Sequence, residues 1–314
     1  MNNLVATTSR RLQNNVPLIV AFLLLVDSLH YVFARLLLPY LPPSVSGLFL
    51  LGIATVETAV FLGLQGRIDR QTFFRHAWFF LLVGLLVAGA TVISFTAVAY
   101  IDPGTASMLA QTAVIFALGF SVFWLRERLH KSELVGAGVA LLGVFVISFQ
   151  PGDVWRIGSL LVLAAAFLYS LHVAVVKRYG DEMDFANFFL FRVATTSAFL
   201  LLFALGRNEF VWPTIQVWPI LLLAATVDVV ISRVLYYLVL RRVRMSFHAI
   251  ILTMSPVVAI LWSLLLFRET PTIQGFVGGA AVIAGVIIVT LSRQQRVKLE
   301  KSGFLTSLKG DVPE

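Results

Sequence analysis

The chain has 314 residues, of which 59% are hydrophobic and only 13% are charged. A soluble domain carries roughly 25% charged residues, so most of this surface must face lipid. The formal net charge is +8 and there is no cysteine. The basic residues sit in short connections between apolar runs, where they set membrane orientation and make no nucleic-acid face; thiol catalysis, disulfides and thiolate metal sites are excluded.

A helix that crosses a hydrocarbon core about 30 Å thick needs about 20 largely apolar residues. Ten segments meet that need, at 16–37, 43–64, 75–99, 103–125, 131–149, 156–176, 185–205, 216–240, 246–267 and 272–291. The first follows a polar stretch, 1–15, and lacks a small-residue cleavage site, so it reads as a retained span. Most boundaries carry Pro, Gly or charge, as at Pro42-Pro43, Asp102-Pro103-Gly104 and Gln150-Pro151-Gly152-Asp153.

An ionisable side chain deep in such a segment costs about 2.5–3.5 kcal/mol on insertion scales, so it usually faces a partner or a wet cavity. Segment one holds Asp27 near its middle, with His30 and Tyr31 one turn on along the same stripe. Asp27 and His30 are a candidate proton-coupling pair; the plainer alternative is a static hydrogen bond that positions the helix. Segment two holds Glu57, and segment four holds Gln111, a candidate polar contact. Segment six carries Tyr169 and His172, and segment seven Arg192, which could snorkel, pair with an acid or bind an anionic group. Segment eight carries Asp228 and Arg233. Five residues apart on an α-helix, these project roughly 140° from each other, so each is expected to meet another helix.

One register runs through the whole chain. Ser28-Leu29-His30 recurs as Ser170-Leu171-His172, Arg126-Glu127 as Arg268-Glu269, Gly136 as Gly278 and Gly143-Val144 as Gly285-Val286, always at an offset of 142 residues. The chain is two copies of one unit, at 16–149 and 156–291, flanked by a cytoplasmic segment 1–15 and a basic, disordered tail 292–314. With the N-terminus inside, 18 basic residues fall in inner connections and 4 in outer ones, which places both termini in the cytoplasm. Five segments per copy force the second copy into the membrane upside down. The expected fold is therefore an all-α polytopic membrane protein, ten transmembrane helices as two inverted five-helix repeats.

The stretch Ala106 to Gly143, with Trp124-Leu125-Arg126-Glu127-Arg128-Leu129 closing one segment and Gly136 opening the next, resembles the EamA-type repeat of the drug/metabolite transporter superfamily. Its counterpart runs from Ser246 to Gly285, with Ser255-Pro256 inside the segment and Phe267-Arg268-Glu269-Thr270 at its end. Family repeats usually have Gly where Arg126 and Arg268 stand, and a proline where Val114 stands. The resemblance implies a secondary carrier of small metabolites, often an exporter, with a cavity lined by both halves. Glu127 and Glu269, beside arginines at helix ends, are expected as caps or interfacial salt bridges. The small residues of segments five and ten, among them Gly136, Ala140, Gly275, Gly279, Ala281 and Gly285, allow close helix approach as scaffold.

His172 and Tyr169 are the inverted counterparts of His30 and Asp27, so the two histidines are expected on opposite sides of one pathway, with satisfied core histidines as the alternative. Mixed-sign intramembrane charge suits a zwitterionic or weakly polar solute, amino-acid-like, better than a pure anion or cation. The expected function is proton-linked export of such a metabolite by alternating access, with protons, the bilayer and the small-molecule solute as partners. The alternatives are a flippase for a lipid-linked headgroup and a non-transporting sensor or assembly subunit, the last disfavoured by the lack of long polar segments. Neither an enzyme nor a metal, cofactor or nucleic-acid site is expected, for want of a nucleophile motif, ligand-spaced histidines or a phosphate loop. The expected setting is the bacterial inner membrane, as a monomer or weak homodimer.

Overall fold

The computed structural model describes residues 16–124, 131–148, 157–180, 183–242 and 254–310. These residues form helices and no strand. Helices begin where the sequence supplies punctuation. Pro43 opens Pro43–Leu64 and Pro103 opens Pro103–Ala110, at a first-turn position where a missing N–H costs nothing. Asp102 caps the latter, accepting from the Thr105 N–H at 2.8 Å and its hydroxyl at 2.6 Å. Asp184 caps Phe185–Gly206. Asp69 caps the short helix Arg70–Arg75, and hydrogen bonds from the Thr72 hydroxyl and backbone hold its carboxyl below the usual carboxylate range.

Eight of the ten segments form apolar helices long enough to cross a membrane. Segments five and nine appear as Lys131–Ser148 and Ser255–Phe267. Their flanks at 125–130, 149–156 and 243–253 lie outside the described residues, as does Glu127, so the count among described residues stops short of ten. Segment ten does not end at 291. Its helix runs Ile273–Gly310, so the tail expected as a disordered arm is helical to Gly310. Good helix formers such as Gln294, Gln295, Lys298 and Leu299 carry the turns on, with no proline before Pro313.

The helices repeat the 142-residue register. Pro43–Leu64 and Phe185–Gly206 match at both ends, and Lys131–Ser148 and Ile273–Gly310 at their starts. The packing repeats it too. Segments two and seven, four and nine, and five and ten pair with each other. Other contacts between the halves come in equivalents too: three against six mirrors eight against one, three against seven mirrors eight against two, and four against six mirrors nine against one, while the contact of segment ten with segment four has no counterpart of its size among the described residues. At the five–ten contact, a Cβ on Gly136 would come within 2.8 Å of the Gly285 carbonyl oxygen, and one on Gly278 within 2.7 Å of the Gly143 carbonyl oxygen. Residue numbers rise along one helix as they fall along the other, so the two run antiparallel. Swapping each residue for its counterpart 142 positions away leaves this interface unchanged, the signature of a two-fold relation.

Large apolar side chains cover the outside: Leu64 is 86% and Phe123 88% exposed. Such a surface suits lipid, where helices satisfy their own backbone.

Candidate functional site

Three segments depart from regular α-helix, each beside a central cavity. Segment one is two helices, Val16–Asp27 and His30–Leu37. Between them the Ser28 hydroxyl donates to the Leu25 carbonyl at 3.0 Å and Leu29 N–H to Val26 at 3.1 Å, a tightened turn that competes with the helix ladder. The Leu25 carbonyl also accepts from the Trp262 indole of segment nine at 3.3 Å. Segment four breaks likewise between Pro103–Ala110 and Ala113–Phe123, where the Thr112 hydroxyl donates to the Leu109 carbonyl at 2.7 Å. Segment eight is Trp218–Ala224, a π-helical stretch Ala225–Ile231 and Ser232–Arg242. In a membrane protein irregular backbone of this kind is tolerated where it lines a cavity.

The cavity has a volume of about 470 Å³ and draws residues from both halves. Asp27, His30, Tyr31, Gln111, Tyr169, Arg192 and Asp228 all line it. The Asp27–His30 pairing expected from spacing is not the contact formed, because the break between them re-aims each residue. His30 Nδ1–H donates to Asp228 Oδ2 at 3.2 Å, and the Asp228 side chain is only 5% exposed. Asp27 Oδ1 lies 3.8 Å from Arg233 and accepts from the Ser232 hydroxyl at 3.4 Å. Two polar contacts, an ion pair and a histidine–carboxylate hydrogen bond, thus cross from segment one to segment eight. The His30 ring also packs edge-on against Tyr31 and Phe95.

Glu57 and His172 are not among the lining residues. Glu57 accepts from the Thr226 hydroxyl at 2.7 Å and so tethers segment two to the π turn. His172 is buried, its ring against Tyr169, and Nδ1 lies 3.0 Å from the Tyr169 carbonyl oxygen. A carbonyl only accepts, so Nδ1 carries the proton. Its partner is one turn back on its own helix. Glu269 forms a salt bridge with Arg35 at 2.6 Å, joining segments one and nine near their ends.

Arg233, which the sequence expects only to meet another helix, and Tyr236, which it offers as an aromatic contact, also line the cavity, and Ser232 bonds Asp27. On an α-helix Asp228 and Arg233 diverge; the π turn, bonded i to i+5, brings residues five apart toward one face. Both therefore reach the cavity and both meet segment one. The one available signal was the mismatch itself, two opposite charges in an apolar segment at a spacing an α-helix cannot pair.

The model of a family described as the EamA-like transporter family matches residues 16–149 and 156–291. The chain is 28% identical over 209 residues to the uncharacterized transporter YdfC of Bacillus subtilis (strain 168), covering 63% of this chain and 66% of that one. It is 26% identical over 202 residues to YetK of the same organism, covering 61% of each chain. It thus spans just under two thirds of these two relatives. The pseudopaline exporter CntI of Pseudomonas aeruginosa is 27% identical over 225 residues, 69% of this chain and 75% of its own. A solved crystal structure superimposes with a TM-score of 0.61 at 20% identity, covering 88% of this chain and 97% of that one, a likeness of fold.

Proposed function

The chain belongs to the EamA-like transporter family, and from that premise we propose that it is a secondary active carrier that exports a small organic metabolite by proton-linked alternating access. The observation that carries this reading is the cavity itself. It is lined by both halves, its walls carry residues of both signs, and an ion pair and a histidine–carboxylate contact on one side tie segment one to segment eight. Mixed charge suits a zwitterionic or weakly polar, amino-acid-like solute. The name of one relative, an exporter, favours the outward direction.

In this reading the chain crosses the membrane ten times, as two inverted five-helix repeats at 16–149 and 156–291. Both termini, including 1–15 and the helical extension from 292, lie in the cytoplasm of a bacterial cell. The protein works as a monomer or weak homodimer. The antiparallel, self-equivalent contact of segments five and ten supports the inversion. Asp27, His30, Tyr31, Gln111, Tyr169, Arg192 and Asp228 face solute or counter-charge. Glu57 and His172 play a positioning part, through Thr226 and the Tyr169 backbone.

The coupling proton belongs at His30 and Asp228. With His30 protonated the pair is an ion pair that clamps segment one to segment eight; without that proton the clamp weakens and the seam is free to part. The test is uptake by purified protein in liposomes, with and without an imposed pH gradient, over amino acids, amines, nucleosides and sugars. A transported solute whose rate ignores the gradient ends the proton-linked part of the reading, and a protein that moves none of them ends the whole of it.

A further inference from the structure

Among the described residues, one of the cavity's two arginines has no carboxylate partner. Of the two, Arg233 has Asp27. The second cavity acid, Asp228, is taken by His30. Arg192 has no carboxylate within ion-pair distance among the described residues. Its Nε is sealed from solvent and has no hydrogen-bond partner. The guanidinium lies over the Phe189 ring, 5.6 Å from its centre, with the Tyr169 phenol beside it. These contacts hold the fork in place without neutralising it. The equivalent position in segment two is Leu50, which lines the same cavity, so the charge is present on one side only.

A charge that is half-buried and lacks a carboxylate partner is costly to keep in a fold. A residue kept in that state inside a binding cavity is completed by what binds there. We propose that Arg192 is the anion-recognising residue of this cavity, and that the solute presents to it a single carboxylate. This rests on the carrier reading above and names its substrate class. One guanidinium without a carboxylate partner calls for one negative charge on a planar, fork-matched group, which a carboxylate supplies through two parallel N–H···O bonds. A phosphodiester headgroup also brings one negative charge, but its oxygens are tetrahedrally placed, so the two are separated by experiment.

The experiment measures binding to purified protein by thermal shift and calorimetry, with L-leucine, L-phenylalanine and L-histidine, their methyl esters, and glycerophosphocholine. At least one acid is expected to bind the wild type about 10- to 100-fold more tightly than its ester, the scale of a charge-assisted hydrogen bond. Arg192→Gln is expected to erase that preference, Arg192→Lys to keep part of it. Ligand-free Arg192→Gln protein is expected to melt about 2–4 °C higher than wild type, because a charge without a carboxylate partner has gone. Four results overturn the assignment: esters binding as tightly as acids, no acid shifting the wild type up to its solubility limit, glycerophosphocholine binding in place of the acids, or Arg192→Gln keeping the acid preference. The wild-type arm stands even if the variant folds poorly. A wild type that binds acids but moves none across liposomes ends the carrier reading and leaves Arg192 assigned. A carrier that moves acid and ester alike ends only the assignment.

Discussion

Two seams in this molecule occupy equivalent places and are made of opposite materials. Segment three packs on segment six, and its counterpart, segment eight, packs on segment one. The first seam joins two unbroken helices, Ala77–Ala97 and Ile157–Tyr179, through Phe79, Phe80, Val83, Val87 and Val175. The second joins a broken helix to a π turn, with His30–Asp228 and Asp27–Arg233 crossing it. Where the second seam has Asp228 and Arg233, the first has Leu86 and Thr91; where it has Asp27, the first has Tyr169. Apolar packing is non-directional and indifferent to protons. Ion pairs and hydrogen bonds are directional, and one of these contacts contains a histidine. Duplication supplied the same pairing of segments twice, and side chains made one seam apolar and the other polar.

The largest expected effect tests the apolar seam. Phe80→Ala should cost about 3–5 kcal/mol of stability, the range for a buried aromatic, measured by unfolding of the purified protein. The pH response of uptake should not change; a changed response would mean that the apolar seam also takes part in coupling. Next comes the polar seam. Asp27→Asn and Arg233→Gln should each cost about 2–3 kcal/mol, and the double variant should cost less than their sum by about 1 kcal/mol or more. Strict additivity would mean that the two groups do not act as a pair.

A third comparison uses the contact where the halves stayed alike. Gly136→Ala and Gly278→Ala should each cost about 1–2 kcal/mol through overpacking, and should agree within about 0.5 kcal/mol if the two positions are equivalent. Unequal costs would show that asymmetry reaches the scaffold. The smallest expected effect on stability is His30→Gln, about 1 kcal/mol or less, since the glutamine amide can still donate to Asp228. The same variant should lose the dependence of uptake on a pH gradient, and a retained dependence would move the proton elsewhere.

Much of this could be read from residue order because it depends on local chemistry. Pro43, Asp102 and Asp184 mark helix starts that the structure repeats within a residue or two. The 142-residue offset carries through to helix ends and to the glycine contact. Seven of the nine candidate residues line one cavity because each is polar in an apolar run and must find a polar neighbour. The pairing was less legible. Spacing joined Asp27 to His30, but Ser28 turns its hydroxyl onto the backbone and splits the helix between them. The identical Ser170 leaves its helix intact, its hydroxyl 2.7 Å from both the Ala166 carbonyl and the Ala113 carbonyl beside the break in segment four. One tripeptide thus has two outcomes, decided by neighbours that no local pattern names. The π turn, which brings Arg233 to the cavity, is also a tertiary event.

The glycine contact between segments five and ten has one more consequence. A surface that matches its own counterpart under a two-fold needs no covalent link to find its partner. If the chain were cut between Gln150 and Arg156, the two polypeptides would still carry both faces of that joint. Co-expressed in one cell, they should assemble without the connection. Expressed singly, each half would offer the same face to another copy of itself, the arrangement a gene would have had before it was doubled.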